Sequence, residues 1–259
     1  MTGSAGVMAL VLAETVAGAM ALLWYTPLWG EVKRGYFTLT GVIVTILAFA
    51  GWRAAAAGAI SGDSTGSWAV RLALASAIVT LVWTALQLLK QNPAARGVGF
   101  LSVPLSIGLL VALAGSGRQH EVLALFELLA GAAFLGSVLD GLLLGHWYLT
   151  DRGLTRAPIN RATMIMLVAV VIEAIAVIAG GFGGVGSSKA FNPLLTAGAL
   201  APWIALGMVG TTALIAVMVK ATLRGERASA VQSATGFFYL AVVTAFTAEV
   251  AVKVRFLPR

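Results

Sequence analysis

Two carboxylates, an imidazole, an indole and a phenol fall within one apolar run of this chain: Glu127, Asp140, His146, Trp147 and Tyr148, with Arg152 just beyond. A quinone pocket needs hydrogen-bonding groups for the ring oxygens, a proton acceptor, a route to water and an apolar wall. The end of this run supplies them. His146 and Tyr148 are the expected polar contacts, Asp140 the nearest proton acceptor, Trp147 with Leu142 to Leu144 the wall, and Asp151 and Arg152 the water boundary. A histidine between apolar helix and Trp-Tyr also serves as a plain interfacial anchor, and replacement by Phe separates the two roles.

Helical spacing argues against one cluster built on this run alone. At about 100° per residue, Glu127 and Asp140 point to separate faces, so protein is expected on more than one side. Gly141 and Gly145 form a G-x-x-x-G with Gly136 close by, a pattern that lets a neighbouring backbone approach.

Three further carboxylates lie in apolar runs: Glu14, Glu173 and Glu249. Asp at a helix centre costs roughly 2.5–3.5 kcal/mol on insertion scales, so intramembrane acids mark proton or cation pathways unless a neighbour satisfies them. Glu14 and Glu173 have no basic residue at the centre of their own helices. Both are therefore expected to hold protons and to tolerate replacement by Gln. Lys253, near the end of the last run with Arg255 beside it, reads as a cation snorkelling to the interface. A retinal Schiff base at Lys253 is the less favoured alternative.

These residues are carried by an unusually apolar chain. Of 259 residues, 59% are hydrophobic and 10% charged, and mean hydropathy is +0.95, against roughly 45–50% apolar and about 25% charged in a soluble domain. Residues 1–259 therefore form one transmembrane domain, an all-α polytopic bundle. Eight runs reach spanning length: 6–25, 37–57, 68–89, 98–114, 121–148, 162–178, 193–219 and 230–254. The fourth is short and contains Pro104; without it, everything downstream would invert. Trp24, Trp29, Trp52, Trp68 and Trp147 fall at run ends as an aromatic belt, while Trp83 and Trp203 fall inside and are expected to pack between helices. The first run lacks a basic leader and a small-residue cleavage site and is expected to be retained.

Net charge is +7, but the basic residues sit in short connections, where they signal topology and meet lipid headgroups; no nucleic-acid partner is implied. Connections after runs 1, 3, 5 and 7 hold Lys33, Arg34, Lys90, Arg96, Arg152, Arg156, Arg161, Lys220, Arg224 and Arg227. The other side has Arg53, Arg71, Arg118, Lys189, Lys253, Arg255 and Arg259. In a bacterial-type inner membrane this asymmetry places Arg156 in the cytoplasm, and Gly186 and both termini outside.

With no cysteine, thiolate metal sites and Cys-ligated clusters are excluded within the chain. The two histidines, His120 and His146, are about 39 Å apart along a helix and cannot jointly ligate a haem. A haem and a resident metal are thus not expected. The formal G-x-G-x-x-G at Gly181, Gly183 and Gly186 links two membrane runs instead of a strand and a helix, so it reads as a connecting loop. Trp24-Tyr25 and Trp147-Tyr148 each close a run before a basic connection, an echo that fits two four-helix halves in parallel topology.

The last run reads Phe237-Phe238-Tyr239-Leu240, then Ala248-Glu249-Val250-Ala251-Val252-Lys253-Val254-Arg255-Phe256. With eight spans and outside termini, this resembles the integral membrane anchor subunits of bacterial respiratory reductases of the polysulfide and dimethyl sulfoxide reductase type. Those subunits often close with Gly-Glu, three residues, Arg and an aromatic. Here Glu249 matches the acid, Ala248 replaces the Gly and Lys253 occupies the Arg position, which leaves that family's quinone site unmapped on this chain. The resemblance implies a cofactor-poor, non-catalytic subunit of an electron-transport complex that binds quinol and docks a partner carrying redox centres. The alternatives are a structural subunit of a larger assembly and a proton- or cation-coupled secondary transporter.

Overall fold

The computed structural model describes residues 1–60, 62–117, 120–151, 153–181, 200–225 and 229–257. The chain is all-helical within these residues, and eight of its helices are long and apolar enough to cross a membrane. They are α1 (Gly3–Tyr25), α2 (Arg34–Gly58), α3 (Ser64–Leu88), α4 (Asn92–Ala114), α5 (Glu121–Thr150), α6 (Ala157–Ala179), α7 (Leu200–Thr222) and α8 (Ser229–Phe256). In a bilayer every backbone polar group must be satisfied within its own segment, and a helix does this without neighbours.

The fourth span is continuous through Pro104, which faces outward. Helix α6 begins earlier than hydropathy suggests. Pro158 sits in its first turn, where a missing N–H costs nothing.

Packing divides the bundle as the Trp-Tyr echo predicts. Helices α1 to α4 close a ring in chain order, α5 to α8 close a second, and the rings meet chiefly through α1 against α5, flanked by α1 against α8 and α4 against α5. The two central helices are the most enclosed, 78% of the apolar window of α1 and 67% of that of α5 being buried, against 33–44% elsewhere.

Glycine makes the central contact close. A Cβ on Gly18 would lie 1.8 Å from the Ala132 carbonyl oxygen, and one on Gly136 would lie 2.4 Å from the Gly18 carbonyl carbon. Here two backbones touch, as small-residue interfaces permit. The Gly141 and Gly145 pattern works differently from expectation. Those glycines accommodate the Phe238 ring and the Thr235 side chain of α8, not a backbone.

Connections alternate between the two ends of the bundle. At one end Lys33 pairs with Asp151 at 2.9 Å, Arg161 pairs with Glu31 at 3.0 Å, and Arg156 donates to the Gly225 carbonyl. This is the end that gathers the basic connections. At the other, Thr2 N–H donates to the Gly58 carbonyl at 2.9 Å and the Phe256 ring packs beside Gly117, so both termini lie together opposite the basic end. Trp83 is buried, as expected of a packing residue. Trp203, by contrast, is 61% exposed and lies only three residues into α7 as described, so it belongs to the surface.

Candidate functional site

The acids of the interior do not stand alone. Glu14 comes from the centre of α1, Glu173 from α6, and Glu249 and Lys253 from α8, and all four side chains are buried. Lys253 Nζ lies 2.7 Å from Glu14 Oε1 and 3.1 Å from Glu249 Oε2. Glu249 and Lys253 share a face of α8 because they are four residues apart. Glu173 lies close enough to this group to interact electrostatically with Glu249, Lys253 and Glu14. Gly131 on α5 forms the floor; a Cβ there would come within 2.6 Å of Glu14 Oε1 and 3.0 Å of Glu249 Oε2.

Although the distances are those of ion pairs, the angles fall short of good hydrogen bonds. Lys253 Nζ, both oxygens of Glu14, both of Glu249 and Glu173 Oε2 have no well-aligned partner among the described residues. Buried polar atoms are nearly always satisfied, and unsatisfied ones concentrate where a water, an ion or a reaction is accommodated. Three carboxyls against one ammonium also leave an excess of negative charge that a bound proton or cation would neutralise.

A second pair adjoins this cluster. Arg255 Nη2 lies 3.0 Å from Glu127 Oε1, with Arg255 6% and Glu127 1% exposed. The guanidinium also donates to the carbonyls of Val177, at 3.3 Å in the last turn of α6, and of Gly181, just beyond its end. Glu127 is near enough to act electrostatically on Glu14 and Lys253. Gly180 leaves the room: a Cβ there would overlap Glu127 Oε1 at 1.7 Å.

These positions correct three expectations. Lys253 does not snorkel to the interface, for it is 0% exposed and held between two carboxylates. Nor is Glu14 without a basic partner; the partner arrives from α8, more than two hundred residues away in sequence. Arg255 likewise is no surface cation of the tail.

The residues proposed for a quinone pocket at the far end of α5 diverge. Asp140 is buried and accepts a hydrogen bond from the Tyr36 hydroxyl of α2. Tyr148 donates to the Thr155 carbonyl and lies 3.4 Å from the Ile159 N–H, tying the end of α5 to the start of α6. Trp147 packs its ring on Gly35. His146 is exposed, with Nδ1 3.2 Å from the Tyr239 hydroxyl. The four side chains thus serve four separate contacts. Arg152, Gly183 and Gly186 lie outside the described residues. His120 caps α5, its Nδ1 facing the Val122 N–H at 3.4 Å.

Lys253 and Tyr36 are the residues that sequence reasoning missed. The spacing of Glu249 and Lys253 by one helical turn was a usable signal for the first. Nothing in the sequence marks Tyr36, which meets Asp140 only through packing of α2 on α5.

The fold and the buried cluster together define the class: a polytopic, multi-pass helical membrane protein with a cluster of ionisable side chains in its core. No protein-family model, curated protein or solved structure matches the chain.

Proposed function

We propose that this chain is a proton-handling membrane protein, in which Glu14, Glu173, Glu249 and Lys253 take up and release protons inside the bilayer. The observation that carries this reading is a fully buried lysine set between two carboxylates at 2.7 and 3.1 Å, with a third carboxyl alongside. Ionisable groups at such depth are costly and mark proton relays and ion pathways in transporters and pumps. Every member of the cluster can carry a proton, and several of its polar atoms lack aligned partners.

The cluster also joins the two rings. Its floor and its Glu14 come from the central helices α5 and α1, while Glu173, Glu249 and Lys253 come from the second ring. A change in its charge would therefore act on the seam between the halves. The same proton chemistry suits a membrane subunit of a respiratory complex, since Glu249 and Lys253 are the residues on which that resemblance rests.

Purified protein in sealed liposomes, with a pH-sensitive dye inside and a potassium diffusion potential imposed, tests the proposal. The native chain should drive internal pH change faster than protein-free vesicles, and Glu173→Gln should slow it about tenfold or more, as loss of a relay group does. Equal rates for native, Glu173→Gln and empty vesicles would overturn the reading.

A further inference from the structure

Away from the buried carboxyl–lysine cluster, the basic end of the bundle carries a two-lobed cleft between the ends of α1 and α3 and the starts of α2 and α4. The lobes measure about 270 and 210 Å³ and share Pro27, Gln87 and Arg96; together they fall within the size of small-ligand pockets, roughly 300–1,000 Å³. The cleft exists because of two tight turns. A short 3-10 helix, Thr26–Trp29, ends at Gly30 with φ +70, and the α3–α4 link turns at Lys90 with φ +65.

Its two walls differ in chemistry. One is apolar and aromatic, built from Leu23, Trp24, Leu28 and Trp83, and it continues outward onto the exposed Phe100, whose ring centroid is 5.9 Å from that of Trp24. The other carries Arg34 and Arg96 with the amides of Gln87 and Asn92. Among the described residues no carboxylate lines either lobe. Among the described residues neither guanidinium has an ion-pair partner, although the neighbouring Lys33 and Arg161 both do.

We infer that this cleft is a binding site for one anionic phospholipid, its headgroup phosphate on Arg34 and Arg96 and an acyl chain along Trp24, Leu28 and Phe100. Guanidinium is the side chain best suited to a phosphate, offering paired donors in a fixed plane. Basic pockets between transmembrane helices at the positive end of a bundle recognise acidic headgroups on this principle. Tryptophan at headgroup depth supplies the amphipathic wall. The apolar exit distinguishes the occupant from a free anion, which would have no use for it. The site is independent of the buried carboxyl–lysine cluster.

Native mass spectrometry of the delipidated protein in detergent, titrated separately with phosphatidylglycerol, phosphatidylcholine and inorganic phosphate, provides the test. Phosphatidylglycerol should form a one-to-one adduct that phosphatidylcholine forms at least tenfold more weakly. Each of Arg34→Gln and Arg96→Gln should weaken it about five-fold, as expected for one basic residue at an acidic lipid surface. Arg71→Gln, on α3 beside Trp68 and remote from the cleft, should leave it unchanged. Equal adducts with both lipids, an undiminished adduct in the Arg34→Gln/Arg96→Gln double variant, or saturable binding of inorganic phosphate that displaces the lipid would each overturn the inference. Thermal unfolding of the variants without lipid, matching that of the native chain, establishes that a weaker adduct reports binding and not misfolding.

Discussion

Lys253 Nζ and Glu14 Oε1 lie 2.7 Å apart in the bundle interior, contributed by the last and the first helix of the chain. Neither side chain has any exposed surface. The contact links the second ring of helices to the central helix of the first, and it places a charge where bilayer and protein both disfavour one.

Removing one partner of such a pair leaves the other charge buried and uncompensated, which costs about 3–5 kcal/mol. Lys253→Met should lower stability by that order, because it strands Glu14 and Glu249, whereas Glu14→Gln should cost less, because Glu249 still lies 3.1 Å from Lys253. The double variant should lose less than the sum, because it removes both charges. Unfolding in detergent, read as a double-mutant cycle, checks this; strictly additive losses would show that the two groups do not interact.

Tyr36 donates to Asp140 in the interior, and the second oxygen of Asp140 has no aligned partner among the described residues. Tyr36→Phe removes the donor at almost constant volume. A hydrogen bond to a charged group contributes about 1.5–3 kcal/mol, so a loss of that size is expected in the same unfolding assay.

At Gly18 and Gly136 the backbones of α1 and α5 are in contact. Gly18→Ala should sharply reduce folded yield, since its Cβ would meet a carbonyl oxygen that belongs to the facing helix and cannot rotate away. Gly145→Ala faces the Thr235 side chain instead and should be milder. Size-exclusion profiles in mild detergent rank the two, and an inverted order would place the close seam elsewhere.

His146 is exposed, and among the described residues its polar partner is the Tyr239 hydroxyl. His146→Phe should therefore alter stability by less than about 0.5 kcal/mol, as surface substitutions do, and leave liposome proton flux unchanged. A loss of flux would return His146 to the functional site.

Orientation follows from the basic residues gathered at one end. In a cysteine-free chain, single cysteines replacing Arg156 and Gly62 report on opposite ends. With the basic end in the cytoplasm, an impermeant thiol reagent applied to intact cells should label position 62 and spare 156. The converse pattern would reverse the topology.

The sequence by itself determined the number of spans and their approximate limits. Hydropathy suffices for this because bilayer thickness acts on each segment separately. The depth of Glu14 and Asp140 was legible for the same reason. Their partners were not. Tyr36 reaches Asp140, and Lys253 reaches Glu14, across long stretches of chain and through the sideways packing of helices, which hydropathy along one helix does not encode. Lys253 was misplaced because proximity to a helix end in sequence was equated with proximity to water. In the structure α8 runs on to Phe256 and its final turns pack against α1, α5 and α6, so the ammonium meets carboxylates before it meets solvent. Depth is a property of one segment, whereas pairing is a property of which faces the bundle brings together, and only the tertiary structure decided that.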